Sequence, residues 1–264
     1  MADELIETLD ESGVLSLVLN RPAAKNAMNQ AMLEALQAAL TRAVTDPKVR
    51  CVLLSGAGGA FCVGGDVKAF AAGSGQDLTL EQRVASLRAR MEASRILHEM
   101  PKPTIAAIEG AAAGAGLSLA MACDLRIAGE SAKITTAFAK VGLSGDFGGT
   151  FFMTKILGAA KARELYLTSP ILSGKQAADI DLVTRAVPDA DVMKEAQALA
   201  TSLAQGPTVT LGYIKKNLSL AEDAPLEAVL DAEALHHSRC AETADHKEAA
   251  RAFVEKRKPA FVGR

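Results

Sequence analysis

Two glycine-rich stretches hold the residues whose types and spacing could do chemistry: Gly58-Gly59-Ala60-Phe61-Cys62-Val63-Gly64-Gly65-Asp66 and Gly110-Ala111-Ala112-Ala113-Gly114-Ala115-Gly116. Each follows a short apolar run that reads as a buried strand, and each precedes a predicted helix. Small residues at such a junction let backbone N–H groups approach a ligand closely, and a helix start adds partial positive charge. A phosphate cradle is one use of that arrangement. Neither stretch ends in the Lys-Ser/Thr pair of a P-loop. Gly114-Ala115-Gly116 opens like a dinucleotide fingerprint, but position 119 is Leu where that pattern needs Gly or Ala. The other use is a pair of N–H groups aimed at one developing oxyanion. On the residues alone, that reading competes with glycines that simply make tight turns.

Cys51, Cys62, Cys123 and Cys240 follow no metal-ligand or CxxC spacing, so no metal is expected. A chain of 264 residues with 49 % hydrophobic content can bury a good core without disulfides, which points to a reducing, cytoplasmic setting. Lys+Arg 29 against Asp+Glu 31 leaves a net charge of −2, which gives no electrostatic reason for a nucleic-acid or anionic-membrane partner. The opening MADELIETLDESG is acidic and has no signal-peptide pattern. Thr104 to Ala122 is nearly long enough to span a bilayer, but it carries Glu109 and consists largely of Ala and Gly.

The elements that must position these loops alternate between strand and helix. Leu5–Leu9 and Val14–Leu19 read as a strand pair about the turn Asp10-Glu11-Ser12-Gly13. Met32, Leu36 and Leu40 recur at helical spacing behind a capping Asn29, and Val49 to Leu54 forms a buried strand. Leu80, Val84, Leu87 and Met91 share one helical face, and that helix stops before Pro101 and Pro103. Thr104 to Ile108 is a strand, Gly110 to Gly116 a turn, Leu117 to Ala122 a helix and Asp124 to Ala128 a third strand. From about Asp191 onward strands give way to helices, broken near Gly206-Pro207 and Asp223-Ala224-Pro225. This is an α/β core over 1–190 followed by a helical region over 191–264.

Six longer motifs carry a resemblance: LNRPAAKNAMN at 19–29, GAFCVGGDVKAF at 59–70, KPTIAAIEGAAAGAGLSLAMACDLRIA at 102–128, KVGLSGDFGGTFFMTKILGAAKARELYLT at 140–168, AADIDLVTRAVP at 177–188 and FVEKRKPAF at 253–261. In this order they resemble the crotonase superfamily, the enoyl-CoA hydratase/isomerase family, essentially end to end. The resemblance implies a fold of repeated ββα units, a helical C-terminal trimerisation region, and acyl-CoA thioester substrates with no separate cofactor. It places an oxyanion hole on the backbone N–H groups of Cys62 and Ala115. It also implies coenzyme A contacts. Ala60, Gly65 and Asp66 would face the adenine, and Lys25 and Ala27 would lie along the pantetheine and phosphates. Phe253 and Lys256 of a neighbouring subunit would close over the nucleotide in a homotrimer or dimer of trimers.

Hydratases of the family use two glutamates, and the matching positions here hold Ser118 and Phe138. One carboxylate remains. Asp146 stands where isomerases and dehalogenases of the family carry a functional Asp, amid Phe138, Phe147, Phe151 and Phe152. Those rings should desolvate it and raise its pKa into a range useful for proton transfer. The competing structural role is capping a helix that begins near Gly148. The expectation is therefore an isomerase-type proton shuttle through a thioester enolate. The alternatives are a hydratase with a rearranged site, a ring-epoxide phenylacetyl-CoA isomerase or a non-catalytic acyl-CoA binder. Residues 71–82 are expected to form a mobile segment over the pocket.

Overall fold

The structure is a computed structural model and describes residues 3–66 and 78–264. The segment expected over the pocket lies, through residue 77, outside the described residues. Six strands form the main sheet in the order β1 (Leu5–Leu9), β2 (Val14–Leu19), β3 (Cys51–Gly56), β4 (Thr104–Ile108), β6 (Leu125–Gly129) and β8 (Arg185–Val187). The β1–β2 hairpin is antiparallel and every later pairing is parallel. A second, small sheet pairs β5 (Ala111–Ala113) with β7 (Lys133–Thr135), also in parallel. The stretch predicted as a plain turn at 110–116 therefore contains a strand, because its alanines find partners in β7 and in the bridge Cys62↔Ala112.

The ββα repeat is visible in this order. β1 and β2 lead into α1 (Gln30–Thr45), β4 and β5 into α4 (Ala115–Met121), and β6 and β7 into α5 (Gly149–Thr168). In the unit that begins with β3, the second strand is reduced to the Cys62 bridge, and α2 (Leu80–Arg90) and α3 (Glu92–Glu99) follow. Asn29 caps α1 as its position demands, its side chain accepting from the Met32 N–H.

Both faces of the sheet are covered, which is why β3 and β4 are buried throughout rather than alternating. Val52, Leu54, Ala106 and Ile108 face one core with Leu17, Met32 and Leu36. Cys51, Leu53, Ile105 and Ala107 face the other. That second face is closed by α7 (Val192–Ala204), whose Val192, Ala196, Ala200 and Ala204 recur every fourth residue and let the helix sit close on the sheet. α6 (Gly174–Asp179) precedes it, and α8 (Thr208–Ala221), α9 (Leu226–Ala241) and α10 (Ala244–Val254) complete the chain. The predicted helix around Leu80 forms, but Leu80, Val84 and Leu87 stay exposed. Among the described residues no helix is long and apolar enough to cross a membrane; Thr104 to Ala122 is divided among β4, β5 and α4.

Candidate active site

The two glycine stretches meet as a backbone zipper. Phe61 N–H donates to Glu109 O (2.8 Å), Cys62 N–H to Ala111 O (3.0 Å) and Ala113 N–H to Cys62 O (2.9 Å). The contact is so close that a Cβ at Gly116 would overlap the carbonyl oxygen and Cβ of Cys62, and one at Gly110 would overlap Gly59 O. Fully buried Asn26 holds the first stretch from behind, donating to Ala57 O (2.9 Å) and Ala60 O (2.7 Å). A third segment joins through Val63 N–H to Lys25 O (3.2 Å), Met28 N–H to Gly64 O (2.8 Å) and the Arg21–Asp66 ion pair (3.0 Å). Lys25, Ala27, Ala60, Gly65 and Asp66 are thereby gathered on one rim.

The zipper corrects one expected donor. The Cys62 N–H is spent on Ala111 O and the residue is fully buried, so it cannot reach a ligand. Its thiol is no nucleophile either. Burial pushes it up to about 12, and it is engaged with Asn26 O (3.1 Å) and the Gly64 N–H (3.4 Å). Beyond Cys62, the first N–H without a protein acceptor among the described residues is that of half-exposed Gly65. Residue types alone could not reveal this, because which N–H is spent depends on where the zipper runs. Ala115, the other expected donor, is the first residue of α4, where intrahelical acceptors do not exist. The two donors are neighbours: a methyl on Gly64 would lie 3.3 Å from the Ala115 nitrogen.

Asp146 sits in the turn before α5, where Gly142, Gly145, Phe147 and Gly148 all take positive φ. It does not cap that helix. Gly148 is the N-cap, no side chain caps it, and only the backbone oxygen of Asp146 accepts from Gly149 (3.1 Å). The carboxylate atom Oδ1 is buried with no hydrogen-bond partner, and desolvation raises the group to about 6. Its charge is felt by both the Cys62 thiol and the Tyr166 phenol, so the carboxylate shares their neighbourhood.

Two hydroxyls complete the wall. A Cβ at Gly149 would overlap both Ser118 Oγ and Tyr166 Oη. The Tyr166 ring stacks on Phe138 (6.0 Å between centroids, 7° apart), and a methyl on Gly114 would lie 3.8 Å from Phe138. Tyr166 was not among the predicted site residues, since its place in the last turn of α5 marks it only as a helix residue. The phenylalanines divide. Phe138, Phe147 and Phe152 are buried and Phe151 is exposed; Phe151 and Phe152 pack on His98 and line a cavity of about 360 Å³ toward α8.

Phe253 and Lys256 are not brought to the rim within the protomer. Phe253 is 85 % exposed and Lys256 lies just beyond α10. Among the described residues no group of three His, Cys, Asp or Glu could hold a metal ion.

Residues 10–264 match the family model described as enoyl-CoA hydratase/isomerase. The chain is 38 % identical to the 1,2-epoxyphenylacetyl-CoA isomerase of Escherichia coli over 99 % of both chains. It is 35 % identical to an enoyl-CoA isomerase/hydratase of Mycosarcoma maydis, covering 96 % of this chain and 94 % of the relative. An enoyl-CoA hydratase structure from Polaromonas superposes with a TM-score of 0.91 at 32 % identity, covering 97 % of this chain and 99 % of the other. The chain belongs to the enoyl-CoA hydratase/isomerase family of the crotonase superfamily. It has that superfamily's α/β fold, and the family acts on acyl-CoA thioesters.

Proposed function

We propose that this protein is an enoyl-CoA isomerase that moves a double bond through a thioester enolate, with Asp146 as the proton shuttle. The observation that carries the reading is the Asp146 carboxylate. Its Oδ1 is buried with no partner among the described residues, desolvation raises the group to about 6, and Ser118 and Phe138 stand at the positions of the two glutamates that hydratases of the family use. For a 3-enoyl thioester, Asp146 takes a proton from the carbon between the carbonyl and the double bond. The electron pair spreads onto the carbonyl oxygen, where the Gly65 and Ala115 N–H groups stabilise it. Asp146 then returns the proton to C4, giving the 2-enoyl thioester with no net change in atoms. One group suffices because it takes a proton at C2 and gives one at C4, exchanging with solvent in between, whereas adding water needs a further group to orient and deprotonate it.

The coenzyme A portion is assigned to the rim of Lys25, Ala27, Ala60, Gly65 and Asp66, with Phe253 and Lys256 supplied by a neighbouring subunit of a homotrimer. The exposed Leu226, Leu230, Phe253 and Val254 on the C-terminal helices support assembly. Proton NMR of a 3-enoyl-CoA incubated with the protein in heavy water tests the reaction. Migration with deuterium entering the acyl chain is expected. Hydration of crotonyl-CoA without any migration would replace this reading by a hydratase.

A further inference from the structure

Two buried polar atoms, Asp146 Oδ1 and Tyr166 Oη, make no well-formed hydrogen bond among the described residues, with Ser118 Oγ standing beside the phenol, and the proposed reaction uses only the first. Leaving a hydroxyl unpaired in apolar surroundings is costly, so Tyr166 Oη calls for a ligand atom. Its position is defined from three sides. The ring lies flat on Phe138, its edge would be 3.3 Å from a methyl on Gly145 beside Asp146, and its oxygen stands over Gly149 next to Ser118 Oγ. Ser118 Oγ is itself turned to Gly114 O (3.3 Å), the residue before the Ala115 donor. The phenol therefore shares one pocket with the shuttle and the α4 donor.

Its chemistry narrows the occupant. Burial, with the Asp146 charge adding and the Ser118 hydroxyl opposing, pushes the phenol up to about 12, so it keeps its proton and serves as a donor. With the Asp146 carboxylate close by, an anionic acyl substituent would be repelled. What remains is a neutral acceptor: an ether, hydroxyl, keto or epoxide oxygen.

We propose that Tyr166 determines specificity, its hydroxyl donating a hydrogen bond to a neutral oxygen carried by the acyl chain, so that the site is built for oxygen-bearing acyl groups. The inference rests on the acyl-CoA reading above. Calorimetric binding of three thioesters of equal chain length tests it: hexanoyl-CoA, 3-ethoxypropanoyl-CoA and 4-methoxybutanoyl-CoA, in which an ether oxygen replaces one methylene or the next. Tyr166→Phe keeps the ring on Phe138 and removes an oxygen whose neighbour, Ser118 Oγ, keeps its bond to Gly114 O, so the variant folds. It should weaken binding of at least one ether about tenfold while hexanoyl-CoA stays within about twofold. Equal weakening of all three, or none of any, overturns the proposal while the acyl-CoA reading stands. Failure of the unsubstituted protein to bind any of the three overturns that reading and the proposal together.

Discussion

Asp146 can act as a base because it is poorly solvated. Burial alone raises it to about 6, and no hydrogen bond offsets that penalty. Below about pH 6 the free enzyme holds Asp146 protonated, so kcat/KM should rise about tenfold per pH unit up to that point and level above it. Asp146→Asn should lower isomerisation by about 10²–10⁴-fold, read by the migration assay. The same shift has a stability consequence of opposite sense. The folded state holds the proton more tightly than the unfolded chain, so stability is greatest in acid and falls as pH rises from 3.8 through about 6. Asp146→Asn should therefore be the more stable protein at pH 8, by about 2 kcal/mol after allowing for partial solvent access, and lose that advantage near pH 4. Paired urea titrations at the two pH values check it. For the second donor, Ala115→Pro deletes an N–H at a helix position that accepts proline. Turnover should fall about a hundredfold or more, with the melting temperature little changed.

At the scale of elements, the site depends on how closely α4 and the Cys62 segment approach. Gly116 has an ordinary helical backbone, so conformational freedom is not the reason for glycine there; the reason is that the Cys62 carbonyl occupies the space of a side chain. Gly116→Ala must push the zipper apart, costing about 2–4 kcal/mol and separating the Gly65 and Ala115 donors. Urea midpoints and the migration assay should fall together. Cys62 shows what residue types leave open. Its backbone looked available in the sequence, yet pairing with Ala111 consumes it, and the proposed reaction uses the Gly65 N–H instead. A similar reversal holds for Asp146, whose side chain could have capped α5 but instead stands free of it.

The whole molecule leaves apolar surface on its C-terminal helices. Leu226 and Leu230 lie one turn apart on α9 and remain well exposed in the protomer, and Phe253 ends α10 fully outward. In the proposed homotrimer these residues are covered, and Leu230→Glu should shift the species seen by light scattering from trimer toward monomer. If Phe253 and Lys256 serve a neighbour's rim, coenzyme A thioester affinity should fall in parallel. The sequence by itself determined the alternation of strands and helices, the two glycine stretches at strand ends and the single carboxylate left at 146. The first two follow from periodicity and residue size, which act over a few neighbouring positions, and the third from the resemblance to the family. Only the tertiary structure decided which N–H groups remain unspent, that Tyr166 and Ser118 stand together over Gly149, and that the Asp146 side chain does not cap α5. These depend on segments far apart in the chain, because a hydrogen bond is spent only where distant chain closes over it.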